Sequence, residues 1–286
     1  MLKRFLYRIV CGFFLGISIF APGFSGSIVA IVMGIYQDLL RVMSNPFKPL
    51  KQNIKFCFPL VIGAAFSAVL FILVFKYLFD TYAKATYLLF VGLVAGNLPV
   101  IFSEVKKCGF KKHYLIGGFG AFAAALALGI VAMGLEKAQG AEVMTASWLI
   151  LALGGFAGGV TALIPGMSVS VILIVFGLYS QLIFMAESLL HASFIYLIPF
   201  GLFCIFALAG VMSASRGIKL VFERYPGFSN ATVFGFVSGA LIGILIQSVQ
   251  LSDPNSGWLL GCAMLVAGLC ISMLFVVLGK KMRKVE

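Results

Sequence analysis

Displaced by 143 residues, half its own length, the chain falls on itself without gaps through its most distinctive region. Gly12-Phe13 meets Gly155-Phe156, and Gly16 meets Gly159. Pro22-Gly23-Phe24-Ser25-Gly26-Ser27 meets Pro165-Gly166-Met167-Ser168-Val169-Ser170, and Gly34-Ile35-Tyr36 meets Gly177-Leu178-Tyr179. The same offset carries Lys76, Phe79, Asp80 and Tyr82 onto Lys219, Phe222, Glu223 and Tyr225, Gly92 and Gly96 onto Gly235 and Gly239, and Gly118 onto Gly261. Chance similarity between two greasy segments does not hold one register through proline, serine, tyrosine and charged positions. The chain therefore reads as one unit used twice, residues 1–143 and 144–286, a plan typical of membrane transporters.

The units are apolar almost throughout. Of the 286 residues, 62% are hydrophobic and 10% charged, which excludes an ordinary soluble domain and makes residues 1–286 a single membrane domain. Each half holds a Pro-Gly-interrupted segment, 9–38 or 147–186, followed by three runs of the length a bilayer needs, about 20 helical residues. These runs are 56–76, 85–102 and 114–135, then 194–212, 228–249 and 257–279. The basic start followed by an apolar stretch has the look of a secretory signal. Its recurrence in mid-chain predicts that it is retained.

Pro22-Gly23 divides the uncharged stretch between Arg8 and Asp38 into arms of 13 and 14 residues, each about 20 Å long at 1.5 Å per residue. Hydrocarbon is about 30 Å thick. Arms that short predict a re-entrant hairpin that turns at mid-membrane, and the repeat extends that reading to the second copy. If the N-terminus starts in the cytoplasm and each hairpin returns to its own side, 18 of the 21 basic residues fall inside, with only Lys76, Lys84 and Lys137 outside. That satisfies the positive-inside rule and puts both termini in the cytoplasm. Three spans between the hairpins invert the second unit relative to the first. The fold class predicted is thus an all-α polytopic protein of two inverted repeats, each a Pro-Gly hairpin plus three transmembrane helices.

A break at membrane depth frees backbone N–H and C=O groups that hydrocarbon cannot satisfy, so both tips are expected to line one protected space. A new helix starting near Ser27 or Ser170 directs unpaired N–H groups and the positive end of its dipole at that space. Such ends bind anions. Ser25, Ser27, Ser168 and Ser170 supply hydroxyls, while Pro22, Gly23, Gly26, Pro165 and Gly166 break the chain and admit a ligand close to the backbone. The competing reading has the serines cap their own helices and the glycines pack helix against helix, which is also the simplest account of Gly92, Gly96, Gly235 and Gly239. Tyr36 and Tyr179 read first as headgroup-level anchors. Arg41 either attracts a phosphate head or orients the chain by its charge.

At these tips the sequence resembles the bacterial polyprenyl-phosphate (undecaprenyl-phosphate) transporter family. The resemblance rests on Ala21-Pro-Gly-Phe-Ser-Gly-Ser-Ile28 with Gly34-Ile-Tyr36, and on Leu163-Ile-Pro-Gly-Met-Ser-Val-Ser170 with Gly177-Leu-Tyr179, and it covers the full chain. It implies a translocase in the bacterial cytoplasmic membrane that returns the lipid carrier undecaprenyl phosphate for reuse in cell-wall (peptidoglycan) synthesis. Two departures stand out. Ile19 occupies a position that is usually acidic in the family, and Val169 interrupts the Ser-Gly-Ser usual at the second tip.

Two other functions compete. A carrier or channel for a small anion would use the same tips but needs a site sealed from lipid. An intramembrane serine hydrolase is suggested by Gly23-Phe24-Ser25-Gly26, yet that chemistry requires a base, and the only histidines, His113 and His191, are predicted in loops at opposite faces. No enzyme activity is therefore expected. The six cysteines form no C-x-x-C pair, so neither disulfide framework nor metal site is predicted, and no cofactor is implied. The net charge of +12 sits in short loops between apolar runs and reads as membrane topology rather than nucleic-acid binding. The partners expected are an anionic isoprenoid lipid and the surrounding membrane lipids.

Overall fold

Apolar segments that cannot hydrogen-bond to water must satisfy their backbone internally, and the computed structural model does so with helices alone. It describes residues 2–21, 26–44, 49–109, 111–139, 148–164, 167–250 and 257–283, and among these every regular element is helical. In chain order they are α1 (Leu2–Phe20), α2 (Gly26–Val32), α3 (Tyr36–Ser44), α4 (Leu50–Lys107), α5 (Lys112–Gln139), α6 (Trp148–Ala162), α7 (Val169–Val175) and α8 (Tyr179–Leu190). A short 3-10 turn (Phe194–Tyr196) then leads to α9 (Leu197–Arg224), α10 (Pro226–Gln250) and α11 (Trp258–Arg283). Five helices are long and apolar enough to cross a membrane, and the bent pair α7–α8 would add a sixth.

The 58 residues of α4 would reach about 87 Å if straight. Instead the helix doubles back at Tyr82, whose φ of −138° and ψ of 50° are non-helical. The Phe75 and Phe90 ring centroids are only 5.4 Å apart, whereas fifteen residues of straight helix would separate them by about 22 Å. The segment predicted to connect two spans is thus helical up to a one-residue corner. Tyr225, at the equivalent place between α9 and α10, has φ −132° and ψ 55°.

Both corners are held by the same side-chain bonds. The Thr86 hydroxyl meets the Leu78 and Tyr82 carbonyls at 3.2 and 2.9 Å; the Ser229 hydroxyl meets those of Val221 and Tyr225 at 3.4 and 2.9 Å. At the second corner the hydroxyl adds to backbone bonds already made, since the Val221 and Tyr225 carbonyls also accept from the Tyr225 and Ser229 N–H groups at 2.8 and 3.0 Å.

Glycines set the helix pairs. A Cβ at Gly12 or Gly16 would collide with the backbone of Leu60 or Ala64, which locks α1 onto the first limb of α4. Gly155 and Gly159 lock α6 onto α9 in the same way, against Phe203 and Ala207. The remaining spans pair across the halves. The second limb of α4 meets α11 at Gly92 and Leu265, while α10 meets α5 where Gly235 and Gly239 back onto Gly118 and Phe122. This is the close packing expected of small residues between apolar helices. At the centre Val94 and Ile101 of α4 pack with Val233 and Val237 of α10, and α7 adds Val171 and Val175.

Candidate functional site at the helix breaks

The return limb of each interrupted segment was expected to run as one helix to about 38 or 186. It does not. Both α2 and α7 have seven residues, about 10 Å, and each is stopped by a glycine at positive φ, Gly34 at 62° and Gly177 at 68°. The residue after each glycine closes the turn: Ile35 N–H reaches the Ala30 carbonyl at 2.9 Å and Leu178 N–H the Leu173 carbonyl at 2.8 Å. That six-to-one bond with glycine at the left-handed position is a Schellman stop. Beyond it α8 leaves α7 at 109°. On the descending side the described part of α6, Trp148–Ala162, has 15 residues, about 22 Å.

Ser168 and Ser170 are brought together where α7 begins. Ser168 is its N-cap residue, with extended φ −111° and ψ 135°, yet its side chain makes no cap bond to the helix. Its hydroxyl is 2.8 Å from that of Ser170, and both residues are buried. The Ser168 hydroxyl thus pairs with that of Ser170 and does not cap α7 in this structure. Within the pair one hydroxyl donates to the other, which leaves one O–H proton available to a further acceptor. Gly26 opens α2 beside Ser18, a buried residue whose hydroxyl donates to the Leu15 carbonyl at 2.6 Å. Pro22, Gly23, Ser25, Pro165 and Gly166, and the side chain of Ser27, lie outside the described residues. Arg41 is exposed on α3 and paired with Asp38 at 3.1 Å.

Tyr179 corrects the reading of that position as a headgroup anchor. Its side chain is buried, and its hydroxyl donates to the Phe20 carbonyl at 2.8 Å, across 159 residues of sequence. Phe20 ends α1, so this bond ties the bend of the second half directly to the break of the first. The Tyr179 ring packs edge-on against Phe79 and Phe90, with centroids 5.9 and 5.4 Å away. Tyr36 is half-buried against the core formed by Cys11, Ile35, Phe56 and Leu60.

A second polar contact joins the halves and escaped the sequence reading. Lys76 Nζ on α4 is 2.6 Å from Glu187 Oε1 on α8, and His191 Nε2 is 3.6 Å from the same oxygen. Glu187 retains 11% of its side-chain exposure and Lys76 33%, so the pair is largely withdrawn from solvent. The offset that aligns Lys76 with Lys219 places Ser44 opposite Glu187. Repeat comparison therefore offered no signal for this pair. His113 stands exposed at the start of α5 and His191 at the end of α8.

Several apolar helices of membrane length, broken helices packed into the interior and buried polar links between the breaks together define a multi-pass helical membrane protein. The chain belongs to the undecaprenyl phosphate translocase-like family described as VCA0040-like, whose sequence profile matches residues 15–257. This is the family that the two tip motifs resemble. No curated protein and no solved structure matches the chain.

Proposed function

We propose that the protein carries undecaprenyl phosphate, or a closely similar isoprenoid lipid phosphate, between the leaflets of the bacterial cytoplasmic membrane without altering it chemically, so that the carrier is reused in cell-wall synthesis. In this reading the two halves are inverted repeats, both termini are cytoplasmic, and each Pro-Gly segment is a re-entrant hairpin. The phosphate head sits between the tips, held by Ser25, Ser27, Ser168 and Ser170 and by the backbone freed at Pro22, Gly23, Gly26, Pro165 and Gly166. The tail stays in lipid. Arg41 serves orientation and initial attraction of the head.

The single observation that carries the reading is the buried Ser168–Ser170 hydroxyl pair at a helix break, in a chain whose family is described by lipid-phosphate translocation. Moving a charge through hydrocarbon is the hard step, and hydroxyls with free N–H groups can replace the water a phosphate loses. The test is flipping of labelled undecaprenyl phosphate in reconstituted vesicles by the intact chain and by the Ser25→Ala, Ser168→Ala double variant. Each lost bond to a charged group should weaken binding by about 1–3 kcal/mol, with flipping falling accordingly. Unchanged flipping in the variant would overturn the site, and absence of flipping by the intact protein, with and without an ion gradient, would overturn the function.

A further inference from the structure

A groove of about 710 Å³ runs beside the second tip, walled chiefly by α6, α9 and α10. Its volume falls in the range of ligand sites, about 300–1,000 Å³. Ile164 and Met167 are among its lining residues, and Met167 immediately precedes Ser168 in the chain, so the groove passes beside the second tip. Its mouth is set among Phe156, Val221 and Phe228, all exposed on the apolar surface of the molecule.

The walls offer hydrocarbon only. The three hydroxyl residues in them are turned back on their own helices: Thr161 donates to the Ala157 carbonyl at 2.7 Å, Ser229 to that of Tyr225 at 2.9 Å, and Thr232 to that of Phe228 at 2.9 Å. A channel for a hydrated anion would leave such groups facing the path. Here they are already satisfied, and what remains suits an apolar chain.

The first half lacks this groove for a reason written in the sequence. Displacement by 143 residues sends Ala214, Gly217, Ile218 and Val233 to Phe71, Val74, Phe75 and Phe90. There the rings fill the space: Phe71 and Phe75 stack at 3.9 Å, Phe75 and Phe90 at 5.4 Å, and Tyr179 closes edge-on upon Phe90 at 5.4 Å. Two sites related by the repeat thus differ, one open and one plugged by aromatic side chains.

We infer that the groove between α6, α9 and α10 seats the isoprenoid segment of the lipid nearest the phosphate, and that the aromatic fill of Phe71, Phe75 and Phe90 denies the tail an equivalent seat in the first half. This rests on the lipid-phosphate reading above and adds to it where the tail lies and on which side of the tips.

The experiment measures binding of undecaprenyl phosphate and of dioleoyl phosphatidic acid to the purified full chain in detergent micelles. Two variants fill the groove. Ala214→Phe copies the ring at Phe71, and Gly217→Leu places a side chain where an added Cβ meets nothing within 4 Å, so the latter folds even if the former does not. Ile205→Phe, on an exposed part of α9 outside the groove, is the control. We expect the parent to prefer the isoprenoid lipid, Gly217→Leu to lose at least tenfold in affinity for it, and Ile205→Phe to bind as the parent does. Parent-like binding of undecaprenyl phosphate by Gly217→Leu overturns the groove and leaves the head site standing. Equal affinity of the parent for both lipids overturns the isoprenoid assignment, and failure of the parent to bind either lipid overturns the function itself.

Discussion

Replacing Tyr179 by phenylalanine removes one oxygen from the link between the two helix breaks. The ring remains, with its edge contacts to Phe79 and Phe90, so the apolar area buried is nearly unchanged. What is lost is the 2.8 Å bond to the Phe20 carbonyl. That carbonyl is among the last four of α1, which have no intrahelical donor, and it lies at a break inside the protein where water is scarce. Leaving such a group unsatisfied costs about 1–3 kcal/mol. The variant should unfold earlier by that amount when purified protein in mixed micelles is titrated with sodium dodecyl sulfate and followed by circular dichroism, and its flipping rate should fall as the tip of α1 loses its anchor. Tyr77→Phe, at an exposed ring, should change stability by less than about 0.5 kcal/mol. A Tyr179→Phe protein as stable and as active as the parent would refute the claim that this hydroxyl holds the two breaks together.

Other outcomes follow from the same structure. Lys76→Met should destabilise by an amount between the roughly 1 kcal/mol limit of a surface pair and the roughly 3–5 kcal/mol of a buried one, because Glu187 is left with little solvent. The Lys76→Met, Glu187→Met double variant should recover part of that loss, and a double-mutant cycle with no coupling would remove the pair as a link between the halves. Single cysteines replacing Lys51, Lys107 or Lys219 should be labelled from the cytoplasmic face, and those replacing Lys137 or Asp253 from the outer face. Residues 51 and 107 on opposite faces would end the inverted arrangement.

The spans were legible because hydropathy and length alone decide what crosses hydrocarbon, and the helix-packing role of Gly92, Gly235 and Gly239 followed from residue size. The corners at Tyr82 and Tyr225 were not read: neither proline nor glycine marks the first, the Pro226-Gly227 that follows the second has no counterpart at Ala83-Lys84, and the hydroxyls of Thr86 and Ser229 resemble any others in an apolar run. The stops at Gly34 and Gly177 did carry a signal, glycine followed by an aliphatic residue at the end of an apolar stretch. The need for a return arm long enough to reach the surface masked it. At the site, the sequence singled out Ser168 and Ser170 individually, but not the bond between them. Tyr179 was misjudged because a tyrosine beside a glycine looks the same whether it meets a headgroup or a carbonyl 159 residues away; only the tertiary fold supplies the partner.

The crossed pairing of spans bears on how such a chain could have arisen. Gly118 faces Ala231, and Gly261, the counterpart of Gly118, faces Leu88, the counterpart of Ala231. Each half thus offers the other the same two faces, the self-complementary arrangement of a two-fold dimer. One half alone would leave both faces bare, whereas two identical halves would cover them mutually. Phe71, Phe75 and Phe90 nevertheless stand where the offset places Ala214, Ile218 and Val233, a difference that one continuous chain can carry and a homodimer of one unit cannot.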